Sequence, residues 1–274
     1  MKTRITPTPN GHLHLGNIFN FIHIASEASR LGLKIALRID DHDNERCKDE
    51  YIDEIFRALH LLKINIDEGP SSTDDFNRNY SQTLRKDLYK SYLEKIEDQF
   101  YCECSRKEVF ERNSLGVYTG FCKTKNLSFK ANKSCTRYDC PREIIKFESR
   151  EVDVKNSIGD IVLWRKEDIP SYQLVSVCDD IEMNISHIFR GEDLIYSSAI
   201  QLLIAKSMKQ DFIKKENIYH HQLVTLEGEK LSKSRKSEGA IELLESDPKR
   251  VFREYSLFMN KHVSENLEEL ISNQ

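Results

Sequence analysis

The chain has 274 residues, 31% of them charged and 39% hydrophobic, and its formal net charge is −4. This is the balance of a soluble globular protein with one main domain and a second, smaller one, and the slightly negative charge argues against a basic arm that wraps long nucleic acids. Because no apolar run is long enough to span a bilayer and no signal peptide precedes the first predicted strand, we expect a cytoplasmic protein.

The first part of the chain alternates predicted strands and helices. A short β-like run at 2–6 is followed by a turn rich in proline and glycine, and an amphipathic helix begins at Gly16. The apolar run at 33–40 predicts a buried strand, and the apolar residues between Ile52 and Leu62 follow helical spacing. Strands and helices in this order indicate a parallel sheet with helical crossovers.

The pattern changes in the middle of the chain and then returns. We expect a third, highly charged helix at about 78–97 and an insertion over the cysteine-rich residues 101–141. Further elements follow along the chain: β-like runs at 161–164 and 172–180, a helix over 191–208, a strand near 218–226 and short charged helices over the last 35 residues. The sequence therefore predicts an α/β fold, a Rossmann-like doubly wound parallel sheet with an insertion and a helical tail.

Two segments are suited to binding phosphate. His14 and Gly16 lie where the first predicted helix begins, and Asn17 lies in its first turn. A helix amino terminus carries partial positive charge, an imidazole donates hydrogen bonds, and glycine lets a flat group approach the backbone. In the second segment, KLSKS, Lys230 and Lys233 lie on a loop that can approach developing phosphate charge. Either segment alone is more often a solvated turn or loop.

Together, HLHLG and KLSKS resemble the paired HIGH and KMSKS signatures of class I aminoacyl-tRNA synthetases. The segments TRITPTPNGHLHLGN, LRIDDHDNERCKDEYIDEIFRALHLL and YQLVSVCDDIEMNISHIFRGEDLI are similar to the glutamyl subgroup, and the resemblance covers most of residues 3–237. Only about 40 residues follow Ser234, so we expect no large anticodon-binding domain. The nearest resemblance is to the glutamyl-Q tRNA(Asp) synthetases, a family without that domain.

The resemblance implies a ligase that uses ATP and Mg²⁺ to convert L-glutamate into glutamyl-adenylate and then transfers it to queuosine in the tRNA(Asp) anticodon loop. It implies catalytic roles for His14, Lys230 and Lys233, and contacts to ATP from His14, Gly16, Asn17 and Lys233. Asn17 replaces the second histidine of the motif, and we expect this to be tolerated. The expected division is two catalytic halves at 1–97 and 161–238, an inserted zinc-binding subdomain at 98–160 and a helical tail at 239–274.

The resemblance also implies a glutamate pocket made of Arg4, Thr8, Asp40, Tyr172 and Arg190. A substrate with two carboxylates and one ammonium group needs two cations, for which Arg4 and Arg190 are suited, and one anion, for which Asp40 is suited. Asp40 departs from the glutamate that is usual in glutamyl enzymes, and the alternative is that it only caps the next helix. We expect glutamate, because a neutral amide would leave Arg190 without its counter-charge; glutamine stays the alternative.

The insertion contains a candidate metal site. The chain has seven cysteines, and in a cytoplasmic protein these are expected to be thiols or metal ligands. Cys102, Cys104 and Cys122 offer three thiolates, which with one further ligand make a closed structural zinc site. The resemblance implies Tyr118 as the fourth ligand through a C-x-C…Y-x3-C pattern. Cys135 or Cys140 in that position stays open, since sulfur suits zinc better than a phenolate does.

Other functions stay open from the sequence. The chain is alternatively a truncated glutamyl- or glutaminyl-tRNA synthetase that charges a tRNA 3′ end, a nucleotidyltransferase of the same wider fold, or a catalytically silent paralogue that binds RNA or a partner. The intact HLHLG and KLSKS segments weigh against the silent paralogue. The basic residues between Lys123 and Arg142 form either an RNA-facing patch or a solvated face, the commoner meaning of such runs. We expect a monomer.

Overall fold

A computed structural model describes residues 1–147, 150–210, 212–223, 225–226, 229–230 and 239–273. Its strands are β1 (Lys2–Ile5), β2 (Lys34–Leu37), β3 (Gln99–Cys102), β4 (Cys135–Tyr138), β5 (Ile144–Lys146), β6 (Glu151–Asp153), β7 (Ile161–Trp164), β8 (Ile188–Gly191), β9 (Ile218–His221), β10 (Thr225–Leu226) and β11 (Glu229–Lys230). Its α-helices are α1 (Leu15–Arg30), α2 (Asp49–Leu61), α3 (Thr73–Asp75), α4 (Lys86–Leu93), α5 (Arg106–Arg112), α6 (Val154–Ser157), α7 (Tyr172–Glu182), α8 (Ile195–Ser207), α9 (Ala240–Ser246), α10 (Pro248–Phe258) and α11 (Leu267–Ser272). Within these residues, no helix has the length and apolar character needed to cross a membrane.

The chain divides into two compact units, each built from segments that are distant in the sequence. Unit 1 comprises Met1–Leu84, Ile185–Glu192 and Tyr219–Gln274, and unit 2 comprises Arg85–Asn184 and Asp193–Ile218. The functional division expected from the sequence has other boundaries and stays a prediction.

The sheet of unit 1 begins with two parallel strands. In the register of β1 and β2, Arg4 lies opposite Ala36. The pairing continues beyond both strands, because the backbone N–H of Asp40 donates to the carbonyl oxygen of Pro7 at 2.9 Å. The parallel pairing expected from the alternating strands and helices is confirmed.

Strand β8 flanks β1 on its other side. The backbone N–H groups of Ser186 and His187, just before β8, donate to the carbonyl oxygen of Lys2 at 2.9 and 3.1 Å, and β8 itself contacts β1. Both strands therefore start at the same level and run in the same direction. The carboxyl ends of β1, β2 and β8 meet at one edge, where open α/β sheets bind their ligands.

Helix α1 covers this sheet with an apolar face. The face expected from the sequence is buried in the structure, as shown by Ile18, Phe21, Ile22 and Ala28, each at most 1% exposed. Burying each large side chain contributes about 1.5–3 kcal/mol to folding. The short helices α9, α10 and α11 complete the core of unit 1, as expected for the charged C-terminal residues.

Unit 2 contains the antiparallel sheet β3–β4–β7, the β5–β6 hairpin and the packed pair α7 and α8. The strand predicted at 172–180 is wrong, because these residues form α7. Leu174, Val177 and Cys178, spaced three and four residues apart, are all fully buried on one helix face. A short apolar run with β-branched residues does not distinguish a buried helix from a strand.

The single long helix expected at 78–97 is also wrong. A π-helical turn (Phe76–Tyr80) and a 3-10 turn (Gln82–Arg85) precede α4, which ends at Leu93. The backbone N–H of Gln82 donates to the side chain of Asp41 at 2.7 Å instead of to a helical carbonyl. A tertiary hydrogen bond therefore interrupts the helix that the local sequence favours.

Candidate functional site

The start of α1 lies beyond the carboxyl end of β1. His14 is the N-cap residue, and its backbone N–H donates to Oδ1 of Asn17 at 3.1 Å. The N–H groups of Asn17 and Ile18 donate to the carbonyl oxygen of His14 at 2.8 and 3.3 Å. Asn17, which replaces the second histidine of the motif, thus stabilises the first turn. His14 and Gly16 are half-buried at this helix terminus, which favours anions.

The turn before α1 is anchored by a residue that the sequence did not single out. Glu54 of α2 accepts the backbone N–H of Leu13 at 3.1 Å, and its other oxygen lies 3.0 Å from Nδ1 of His12. Both contacts fix the loop that carries His14. An acidic residue in the middle of a helix carries no sequence signal for such a long-range contact.

Buried charges cluster at the carboxyl edge of the sheet in unit 1. Among its described residues, the buried arginines and carboxylates are Arg4, Arg38, Asp40, Asp41 and Arg190, each at most 5% exposed. Three of these side chains are arginines and two are aspartates. All five lie on β1, on β8 or just after β2.

Asp40 is held by hydrogen bonds on both carboxylate oxygens. Arg38 donates from Nε to Oδ1 at 2.7 Å and from Nη2 to Oδ2 at 3.2 Å, and the amide of Gln82 donates to Oδ1 at 3.0 Å. Asp40 does not cap the following α-helix, because the N-cap residue of α2 is Lys48. The neighbouring Asp41 accepts from Ser81 Oγ at 2.6 Å, and burial raises the pKa of its carboxyl group.

The other predicted residues lie in several places. Thr8 is exposed just beyond β1, whereas Tyr172 is the half-buried first residue of α7 in unit 2. Lys230 ends β11, which pairs with β10 in an antiparallel hairpin. Lys233 lies outside the described residues. Arg4, Asp40 and Arg190 are therefore all buried on or just after strands of unit 1, and Thr8 and His14 follow the strand that carries Arg4.

Three cysteines of unit 2 are spaced to share a metal ion. The Sγ atoms of Cys102, Cys104 and Cys122 all lie within 4.8 Å of one another, and those of Cys104 and Cys122 are 3.6 Å apart. A tetrahedral zinc ion with Zn–S bonds of about 2.3 Å places its sulfur ligands about 3.8 Å apart. The three thiols, all buried, fit a structural zinc ion.

Tyr118 is the fourth ligand that the family resemblance implies. Its hydroxyl accepts the backbone N–H of Cys122 at 3.0 Å and hydrogen-bonds the thiols of Cys102 and Cys122, while burial raises its pKa. Cys135 lies opposite Cys102 across β3 and β4 and donates to its carbonyl at 3.4 Å. Cys140 instead packs in a different apolar cluster of unit 2. Among the described residues, the sulfur group within 4.8 Å includes neither Cys135 nor Cys140.

The surroundings of this cluster shift its thiols in opposite directions: burial, and then a hydrogen bond with Cys122, raise the pKa of Cys104 to about 12. Hydrogen bonds from Cys135, and then from Tyr118 and Arg137, outweigh burial and lower the pKa of Cys102 to about 4. The thiolate is the form that binds metals. The Arg137 guanidinium lies 3.8 Å from the centre of the Tyr118 ring and donates to the carbonyl of Asp160 at 2.8 Å. This arginine of the basic run at 123–142 therefore has structural contacts inside unit 2.

The sequence is similar to those of known proteins. The family described as tRNA synthetases class I (E and Q), catalytic domain, matches residues 1–250. A glutamate–tRNA ligase from Buchnera aphidicola is 34% identical over 264 residues, which are 90% of this chain and 54% of that protein. A glutamyl-Q tRNA(Asp) synthetase from Methylococcus capsulatus is 30% identical over 215 residues, which are 76% of this chain and 68% of that protein.

The fold is also found in a solved structure. The glutamate–tRNA synthetase from Elizabethkingia anophelis superposes with a TM-score of 0.79 at 22% identity, covering 100% of this chain and 65% of that one. The chain spans about half the length of the glutamate–tRNA ligases that it matches.

Proposed function

The chain belongs to the class I tRNA synthetases of the glutamate and glutamine type, and from this membership we propose that it activates glutamate with ATP and transfers it to queuosine in tRNA(Asp). The observation that carries the amino-acid part is the buried charge cluster of unit 1, with its three arginines and two aspartates. Glutamate brings two carboxylates, which buried arginines can bind, and one ammonium group, which a buried aspartate can bind. Glutamine offers a neutral amide in place of the second carboxylate, and an arginine binds an amide less strongly than it binds a carboxylate.

The first chemical step needs positioning more than covalent assistance. A carboxylate oxygen of glutamate forms a bond to the α-phosphorus of ATP while the bond to the pyrophosphate oxygen breaks. His14 and the start of α1 bind the triphosphate, and Lys230 and Lys233 stabilise the negative charge that develops. ATP would enter as its Mg²⁺ complex, in which the ion would offset part of the phosphate charge.

In the second step, a hydroxyl group of the RNA attacks the carbonyl carbon of the adenylate, its proton is released, and AMP leaves with the bonding electrons. The relative from Methylococcus capsulatus supports queuosine as the group that carries this hydroxyl. The glutamate–tRNA ligase from Buchnera aphidicola supports the alternative acceptor, a tRNA 3′ end.

We also propose a structural zinc ion bound by Cys102, Cys104 and Cys122, with Tyr118 as fourth ligand. Three buried sulfurs at suitable spacing and a buried hydroxyl that hydrogen-bonds two of them support this set. The bound ion would hold the chain between β3 and the loop at 118–122, and it takes no part in the transfer of glutamate.

Pyrophosphate exchange into ATP tests the activation step. We expect exchange with glutamate in the absence of tRNA, and little with glutamine or aspartate. His14→Ala and Lys233→Ala should each lower the exchange rate while the variants stay folded. Exchange that requires tRNA would favour an ordinary glutamyl-tRNA synthetase, and no exchange with any amino acid would favour a silent paralogue.

Transfer of labelled glutamate identifies the acceptor. We expect labelling of tRNA(Asp) that contains queuosine and none of the same tRNA with guanine at that position. A queuosine-containing tRNA(Asp) whose terminal adenosine lacks both ribose hydroxyls should be labelled equally well. Labelling that depends on the terminal hydroxyls would contradict the proposed acceptor and support charging of the 3′ end.

A further inference from the structure

Within unit 1, the carboxylate of Asp40 already accepts most of the hydrogen bonds that it can accept. Arg38 donates to both carboxylate oxygens, and Gln82 donates to Oδ1. A carboxylate offers about four acceptor positions. Within the described residues three of these are therefore used, and the remaining position is on Oδ2.

Gln82 is itself fixed by the backbone around it. Its Oε1 accepts the backbone N–H of His42 at 3.0 Å, and its own backbone N–H donates to Oδ1 of Asp41 at 2.7 Å. The residue is 1% exposed. Because the amide oxygen is held by the backbone, the amide NH₂ group stays directed at Asp40 and restrains the rotation of its carboxylate.

The two residues that hydrogen-bond Asp40, Arg38 and Gln82, affect its carboxylate in different ways. The Arg38 guanidinium neutralises most of the charge of Asp40, so orientation rather than charge alone decides how well the carboxylate binds an ammonium group. Gln82 supplies that orientation. An aspartate, one methylene shorter than glutamate, can thereby present a fixed oxygen at the edge of the sheet where Arg4 and Arg190 are buried.

Building on the proposed activation of glutamate, we propose that Gln82 is a positioning residue for the amino-acid substrate, which orients Oδ2 of Asp40 toward the substrate ammonium group. The residue does not touch the substrate and acts through Asp40. Its contribution therefore belongs to glutamate binding and not to ATP binding.

Gln82→Met tests this role because methionine has a similar length but cannot donate or accept these hydrogen bonds. We expect the KM for glutamate in pyrophosphate exchange to rise about tenfold, since one hydrogen bond to a charged group is lost. The KM for ATP should stay within about twofold. The matched control is Gln201→Met, because Gln201 is also 1% exposed, hydrogen-bonds Gln173 and lies in unit 2. It should leave both KM values unchanged.

Gln82→Glu provides a second readout that a purely structural role would not produce. This variant keeps the size of the side chain but places a carboxyl group against Asp40. At about pH 8 the KM for glutamate should rise further than in Gln82→Met, and it should fall toward about pH 6 as the new carboxyl group becomes protonated and can donate. Thermal unfolding of all variants shows whether they are folded.

The outcomes separate this inference from the proposed function. If wild-type protein shows no exchange with glutamate, the proposed function is wrong and the inference falls with it. If wild-type exchange is present but both Gln82 variants keep the wild-type KM for glutamate, only the role of Gln82 is overturned. An equal rise of both KM values in a folded variant would also overturn it, because the effect would not be specific to glutamate.

Discussion

The sulfur atoms of Cys104 and Cys122 lie 3.6 Å apart, although a helix and a loop separate the two residues in the chain. Cys104→Ser removes one of the three thiolates, so the protein should lose its zinc. Metal analysis after dialysis should find about one zinc ion per chain in the wild type and almost none in the variant. Cys140→Ser is the matched control, since Cys140 is buried in another cluster. Equal zinc contents in all three proteins would refute the ligand set.

Arg137 should influence zinc affinity without being a ligand. Its guanidinium lies over the ring of Tyr118 and compensates negative charge beside the thiolates, so Arg137→Gln should weaken zinc binding by about 10- to 100-fold. Competition with a chromophoric chelator measures the affinity. The exposed Arg142, replaced by glutamine, serves as control. An unchanged affinity in Arg137→Gln would show that the ring contact does not contribute to the metal site.

Gly159 permits a close approach of two backbone segments. Its φ is +84°, and a Cβ atom there would lie 2.0 Å from the carbonyl oxygen of Tyr118. Gly159→Ala should therefore lower the free energy of unfolding by about 3 kcal/mol or more. Gly32→Ala is the control for backbone strain alone, because Gly32 has a φ of +62° and no atom within 4 Å of a Cβ. For Gly32→Ala we expect the free energy of unfolding to fall by about 1–2 kcal/mol, as measured by urea unfolding. Similar losses at both positions would contradict the steric argument.

Stability should fall in acid because of His23. Burial, and then the neighbouring His221, lower the pKa of His23 from 6.5 to about 3. Between these values the unfolded chain binds a proton that the folded chain does not, so the free energy of unfolding decreases as the pH falls. Between about pH 7 and pH 5 this histidine should account for a loss of about 2 kcal/mol.

Urea unfolding as a function of pH measures this contribution. His23→Gln, which can still hydrogen-bond the hydroxyl of Tyr255, should be less sensitive to acid than the wild type. His60→Gln, a replacement on the exposed side of α2, should keep the wild-type dependence. A wild-type slope in His23→Gln would show that other groups cause the loss.

We expect Arg190 to determine the preference of the enzyme for an amino-acid substrate with an acidic side chain. Arg190→Gln removes a buried guanidinium group that is suited to bind the side-chain carboxylate of glutamate, so the kcat/KM for glutamate in pyrophosphate exchange should fall by about 100-fold or more. The kcat/KM for glutamine should fall much less, and the KM for ATP should stay near its wild-type value. Equal losses for both amino acids would argue against a contact between Arg190 and the substrate side chain.

Much of the parallel sheet could be predicted because its signals are local. The spacing of Ile18, Phe21 and Ile22 predicts the buried face of α1, and the apolar run after Gly32 predicts β2; both are confirmed. The class I synthetase fold expected from the two signature segments is likewise confirmed. Hydrophobic periodicity and short motifs depend only on residues that are close together in the chain. They can therefore be found without knowing what the segment will pack against.

The surroundings of the site could not be predicted in the same way. Gln82 is 42 residues from Asp40 in the chain, and Glu54 is 41 residues from Leu13. A neutral or acidic side chain inside a polar segment shows no periodicity that reveals such a partner. The hydrogen bond from Gln82 to Asp41 also interrupts the helix expected at 78–97. Long-range polar contacts therefore account both for residues that were missed and for an element that was predicted wrongly.

The discontinuity of unit 1 has a consequence for biosynthesis. The backbone of Lys2 bonds to Ser186, 184 residues later in the chain. During synthesis on the ribosome, the side of β1 that contacts β8 therefore stays uncovered until most of the protein has emerged. Such long-range pairing is slow to form and exposes apolar surface in the meantime. A nascent chain stalled just before residue 185 should consequently bind chaperones more strongly than one that extends past Glu192.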